Sequence, residues 1–186
     1  VMPYPQRVLH RVVHQDPAVQ TRGLATKALR SHELLDFLAE AEIENLVRQS
    51  PVQLFANTEH IVNQGEKGES MFLLLRGQVE VSITRNGQQT VVARLGPGDC
   101  FGEMSLLTGA GRTATVVALN EVETVEITKQ VFASLVKDNP EILGRLSELL
   151  AQRQLANDQW TPETASQTVE QVRSGLLGKL REFFAL

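Results

Sequence analysis

The chain has 186 residues, 42% of them hydrophobic, and a formal net charge of −4. That is room for one ordinary domain with extensions and enough apolar content for a core, without the global basic field that favours nucleic acid. The single cysteine, Cys100, excludes an internal disulfide and fits a reducing, cytoplasmic compartment, and the chain shows neither an apolar run long enough to cross a bilayer nor a secretory leader.

Residues 1–16 read as an extended arm. VMPYPQ carries two prolines, which suit an edge or an arm rather than a helix, and RVLHRVVH after it is rich in β-branched residues and predicts one strand. The chain starts at Val1 rather than Met, as a piece of a longer protein would. Residues 17–50 predict a helical lead-in. Asp16-Pro17 is a helix start, with Asp as cap and Pro at the first helical position. Val19, Leu24, Ala28, Leu34, Leu35 and Leu38 recur at helical spacing, and Gly23 and Ser31-His32 are expected to break this stretch into two helices. Another helix spans Ala41 to Gln49 and ends at Ser50-Pro51.

From Val52 to Ile127 the texture changes to short alternating strands with glycine turns. Val79, Val81 and Ile83 share one face, and Glu80, Ser82 and Thr84 the other. Asn86-Gly87 predicts a hairpin between Val79–Thr84 and Thr90–Leu95; Gly96-Pro97-Gly98-Asp99 is a second turn; Thr113–Leu119 and Val122–Ile127 are expected to pair across Asn120-Glu121. Strands at this spacing suggest a jelly-roll sandwich or barrel. The helical period returns after Thr128, first with Val131, Phe132, Leu135 and Val136, then from Asn139-Pro140 with Ile142, Leu143, Leu146, Leu149 and Leu150. The tail, 157–186, carries an apolar stripe of Val169, Val172, Leu176, Leu177, Leu180 and Phe184. Its basic residues Arg173, Lys179 and Arg181 are matched by Glu163, Glu170 and Glu182, as on a solvated helix face.

The densest pattern is 101–115, FGEMSLLTGAGRTAT. It holds one acid, Glu103, and one base, Arg112, with Gly102, Gly109 and Gly111 letting the backbone turn sharply and approach a ligand closely. An acid and an arginine at the two ends of one short loop can read two groups on one small molecule. The stretch closely resembles the phosphate-binding cassette of cyclic nucleotide-binding domains. QGEKGESMFLLLRGQVEV resembles that family's opening hairpin, with Gly65, Gly68 and Gly77 at its turns; LGPGDCFGEMSLL resembles the passage into the cassette; RTATVVAL resembles the strand after it. The resemblance runs from about Leu34 to Gln154. It implies an α+β fold, a β jelly roll flanked by N-terminal helices and C-terminal lid helices, with the binding domain at 51–156.

The resemblance also implies the site. Arg112 takes the phosphate, with Ser105 and Thr113 beside it; Glu103 takes the ribose 2′-hydroxyl, with the Gly102 amide nearby; Val81, Ala93 and Leu95 line the base pocket, joined by Met104 and Thr113. The ligand is cAMP or cGMP, and no cofactor or metal is implied. In cyclic nucleotide-gated channels a threonine at the position of Thr113 favours cGMP. The chemistry fits: a cyclic phosphodiester carries one negative charge and two exocyclic oxygens, which a guanidinium fork can meet together, and a helical turn at 103–108 would add amide donors. The competing reading makes Glu103 and Arg112 a surface ion pair, worth little, and Val81, Ala93 and Leu95 plain core.

No residue set predicts an enzyme. There is no phosphate-binding loop with a lysine, no paired CxxC and no nucleophile elbow; Gly96-Pro97-Gly98 joins strand to strand and is not a dinucleotide fingerprint; His10 and His14 lack a third metal ligand. The 30 or so residues after Gln154 are neither basic nor organised as a helix-turn-helix, so no nucleic-acid partner is expected. MPYPQRVLHRV resembles the last strand of the cytoplasmic domain of small-conductance mechanosensitive channels. That implies a regulatory tail covalently part of a membrane channel, on the cytoplasmic side of the inner membrane, with ligand binding moving the helices at 128–156. A stand-alone cyclic nucleotide sensor acting through a protein partner is the alternative, and a homo-oligomer is compatible with both.

Overall fold

The computed structural model describes residues 17–32, 35–157 and 169–184. The arm 1–16, with His10 and His14, lies outside them. Helix α1 (Pro17–Ser31) runs unbroken through Gly23, which corrects the break expected there. A glycine in an exposed helix interior costs only about 1 kcal/mol, and burial of Ala25 and Leu29 on the opposite face outweighs that. The helix does end at Ser31, and α2 (Glu40–Gln49) follows with Ile43, Leu46 and Val47 buried.

Eight strands then form two antiparallel sheets: β1 (Val52–Phe55), β2 (His60–Val62), β3 (Ser70–Arg76), β4 (Val79–Arg85), β5 (Gln88–Leu95), β6 (Cys100–Phe101), β7 (Thr115–Ala118) and β8 (Val122–Thr128), with a short helix α3 (Glu103–Thr108) between β6 and β7. One sheet has the order β1-β8-β3-β6 and the other β2-β7-β4-β5. Hairpin β4–β5 forms as expected, with Asn86 at φ 53° and Gly87 at φ 77°, the two positive φ values a tight two-residue turn needs.

Two expected pairings are corrected. β3 and β4 do not form a hairpin across Gly77, and β7 and β8 do not pair across Asn120-Glu121; in each case the chain crosses to the other sheet. The reason is that the two turns bind each other. The Gln78 amide donates to Asn120 Oδ1 at 2.9 Å and the Leu119 amide to the Gln78 carbonyl at 2.8 Å. Gly77, at φ 84°, sits so close that a Cβ would lie 2.3 Å from the Glu121 carbonyl oxygen. The corner therefore sends β3 and β8 to one sheet and β4 and β7 to the other.

Val62, Phe72, Leu74, Val79, Phe101, Val116, Ala118 and Val122 fill the space between the sheets, with Phe72 and Phe101 stacked at 5.2 Å. The opposite face of β3 and β8, with Met71, Leu73, Leu75, Val125 and Ile127, meets the helices. β3 is consequently buried on both faces, and only Arg76 at its end is exposed. Ser82, on the face of β4 opposite to Val79 and Val81, is also buried, and its hydroxyl accepts from Gln89 Nε2 at 2.8 Å.

Three helices complete the second layer: α4 (Lys129–Asp138), α5 (Glu141–Asn157) and α6 (Val169–Phe184). Thr128 caps α4 by accepting from the Val131 amide. Phe132, Leu135 and Val136 of α4 and Ile142, Leu143 and Leu146 of α5 are buried as the spacing predicts. The tail does not project. α6 packs on α5 and on α3, burying Val172, Leu176, Leu180 and Phe184, with Phe184 5.6 Å from Phe132. Its charged face carries the Arg173–Glu170 pair at 2.5 Å.

Candidate functional site

α3 is placed by glycines at both ends. Gly102 caps it at φ 82° and Gly109 closes it at φ 69°, with the Gly109 amide donating to the Ser105 carbonyl. One side of this turn faces the helical layer: Leu106 and Leu107 are buried among the apolar residues of the helices. The other side borders a cavity of about 200 Å³ between α3, the ends of β2, β4, β5, β6 and β7, and the loop at 112–114.

All nine residues predicted for the site line this one cavity: Gly102, Glu103, Met104, Ser105, Arg112, Thr113, Val81, Ala93 and Leu95. Strand register explains the last three. Val79 pairs with Leu95 and Val81 with Ala93, so both pairs lie on one face of the hairpin. Cys100, Phe101, Val62, Ala114 and Val116 complete the wall. Two larger grooves, of about 530 and 580 Å³, lie beside β1 and contain none of the predicted residues.

Arg112 is the unusual group. It is only 7% exposed. Nη1 donates to the Ser70 carbonyl at 2.5 Å and to the Gly102 carbonyl at 3.2 Å, and Nη2 donates to Ser70 Oγ at 3.1 Å. The guanidinium carbon lies 5.8 Å from the centre of the Phe72 ring. Three of its five N–H groups are thus used, and Nε–H and one Nη2 N–H make no hydrogen bond among the described residues. No carboxylate pairs with it at contact distance among the described residues. Burial pushes its pKa below the ordinary arginine value, and the carboxylates of Glu126, Glu103 and Glu66 oppose that shift from farther away. The surface ion pair of Glu103 with Arg112 is therefore not what the fold builds. Glu103 is half-buried at the cavity edge, and its carboxylate makes no hydrogen bond among the described residues.

The helices at 128–156 stand away from the cavity here. None of the described residues of α4 or α5 lines the cavity; they pack behind β3 and β8, on the far side of the sheet. Sequence reasoning also missed Gly68, Ser70, Phe72 and Glu126 as neighbours of Arg112. The alternation of β3 does mark Ser70, Phe72 and Leu74 as one face, but nothing local says that this face receives an arginine 42 residues away.

Residues 52–139 match the sequence model of the cyclic nucleotide-binding domain family. The cAMP-dependent protein kinase regulatory subunit of Mycosarcoma maydis is 30% identical over 75% of this chain and 27% of its own length. The cyclic AMP receptor protein of Thermus thermophilus is 31% identical over 67% of this chain and 58% of its own length. The chain thus spans less than two thirds of either relative. Among solved structures, the Thermus thermophilus catabolite activator protein superposes with a TM-score of 0.62 at 26% identity, covering 82% of this chain and 83% of that one. The cassette, the two-sheet fold and these likenesses agree, and residues 52–139 are a domain of the cyclic nucleotide-binding family.

Proposed function

We propose that this domain binds cAMP or cGMP and acts as a regulatory module, with the cyclic phosphate on Arg112. The observation that carries the reading is the state of that arginine. A cation this buried, without a paired carboxylate and with two donors unspent, is costly unless an anion completes it. The side chain is anchored on Ser70 and Gly102, so its remaining donors are held rather than searched for, which lowers the ordering cost of binding. Glu103 accepts from the ribose 2′-hydroxyl, and the amides at the start of α3 add donors to the sugar-phosphate. The base rests on Val81, Ala93, Leu95 and Met104, with Thr113 at its edge. That the relatives are named for cAMP supports this ligand class. Calorimetric titration of the protein with cAMP and with cGMP tests the proposal: saturable one-to-one binding is expected, and no heat at millimolar nucleotide overturns it.

The module's output follows from α3, which has the cavity on one side and the helical layer on the other. A ligand that shifts α3 changes the packing of α4, α5 and α6. The resemblance of MPYPQRVLHRV, residues 2–12, to the last strand of a small-conductance mechanosensitive channel's cytoplasmic domain supports a channel as the regulated partner. No described helix is long and apolar enough to cross a membrane, so the pore would belong to sequence before Val1. Membrane helices encoded directly upstream would support that reading; their absence would leave the stand-alone sensor.

A further inference from the structure

Some glycines here are demanded by backbone conformation. Gly65 has φ 85°, and a Cβ there would meet nothing within 4 Å. Gly68 is the opposite case. Its φ lies outside the left-handed region, so the backbone admits alanine. A Cβ at that position, however, would fall 2.2 Å from Nε, 2.4 Å from Cζ and 2.6 Å from Nη2 of Arg112. What needs glycine at 68 is the arginine. The loop around it is fitted to Arg112 through the main chain as well: the Gly65 amide donates to the Arg112 carbonyl and the Arg112 amide to the Glu66 carbonyl, both at 2.8 Å. Gly102 walls the other side, with a Cβ position 2.5 Å from Nη1, but its φ of 82° requires glycine independently. Gly68 alone isolates the effect of the slot from the effect of the turn.

We propose that Gly68 is a positioning residue for ligand capture: its missing side chain is the slot in which the Arg112 guanidinium lies on Ser70, and a methyl group there drives the guanidinium off its three acceptors. This rests on the reading that Arg112 receives the phosphate. Because the clashing atoms end a flexible side chain, the arginine yields before the fold does. Affinity therefore falls while the domain stays intact.

The test compares Gly68→Ala, Arg112→Ala and the double variant by cAMP titration, thermal melting and the ¹⁵N–¹H signal of the Arg112 Nε–H group in the free protein. Gly68→Ala is expected to lose about tenfold or more in cAMP affinity, but no more than Arg112→Ala, to move the Nε–H signal, and to add nothing in the Arg112→Ala background. If Arg112→Ala binds like wild type, the functional reading itself fails. If Arg112→Ala loses affinity but Gly68→Ala does not, or if Gly68→Ala costs as much with the arginine gone, the positioning role fails and the functional reading stands. Should Gly68→Ala alone not fold, recovery of folding in the double variant supports the slot, and continued misfolding overturns it.

Discussion

The two ends of the cavity are built on different principles. At the end proposed for the phosphate one cation is fixed by three hydrogen bonds, a neighbouring ring and two closely approaching glycines. At the end proposed for the base Val81, Ala93 and Leu95 are half-buried strand residues, and among the described residues only α3, through Met104, contributes a helix to the wall there. The first end is directional and pre-organised; the second offers apolar area and little else. Affinity should therefore come from the phosphate end, and discrimination between purines should be weak, because an apolar floor cannot tell adenine from guanine by more than a few contacts.

The largest expected effect breaks the phosphate end. Arg112→Ala should cost about 2–5 kcal/mol of binding, tens- to thousands-fold in affinity, and equally for cAMP and cGMP, while the domain remains folded. Arg112→Lys should also bind poorly, since a point charge cannot occupy three acceptors and still offer a fork. Calorimetry on both variants checks this, and a much larger loss for one nucleotide would mean that the ends are not independent.

A smaller effect is expected between the ends. Glu103→Ala removes an acceptor for the 2′-hydroxyl, and a hydrogen bond to a charged group is worth about 1.5–3 kcal/mol. The variant should weaken cAMP binding by roughly ten- to a hundred-fold and lose most of the preference for cAMP over its 2′-deoxy analogue. An unchanged ratio between the two ligands would remove Glu103 from the sugar.

The smallest effect lies at the base end. Thr113 is exposed on the cavity rim, and one hydroxyl hydrogen bond contributes only about 0.5–1.5 kcal/mol. Thr113→Ala should lower cGMP affinity by less than about tenfold and cAMP affinity by less than that. Equal losses, or a greater loss for cAMP, would leave the rim without a guanine-reading group.

Hydrogen exchange sharpens the comparison from the other side of α3. Leu106 and Leu107 tie that helix to the layer of α4, α5 and α6, so cAMP should change protection in α3 and in those helices while β4 and β5 away from the cavity stay unchanged. Unaltered exchange at Ile142–Leu146 would separate the site from the helices.

How much of this was legible in the sequence follows the same division between local and distant causes. The cavity residues could be named because the stretch 101–115 and the strands around it resemble a known family; the glycines beside the acid and the base, and the strand alternation at Val81, Ala93 and Leu95, agree with it but would equally suit an ion pair and plain core. The hairpin at Asn86-Gly87 was legible because two residues decide it. The partition of strands between sheets was not, because Gly77 and Asn120 decide it together by touching across 43 positions. The far-side placement of α4 and α5 was hidden for a similar reason: an apolar helical stripe says that a face is buried, and not against which surface. Gly68 looked like a turn glycine, and its contact with Arg112 appears only in three dimensions.

The central claim is that the buried fork of Arg112 is completed by a cyclic phosphate. The most direct measurement is the ¹⁵N–¹H signal of the Arg112 Nε–H group, assigned by its loss in Arg112→Lys, followed during titration with cAMP. The account predicts a large shift and slowed exchange with water at saturation, as a donor without a partner gains a charged one. A signal that stays in place while cAMP binds elsewhere on the protein would contradict it.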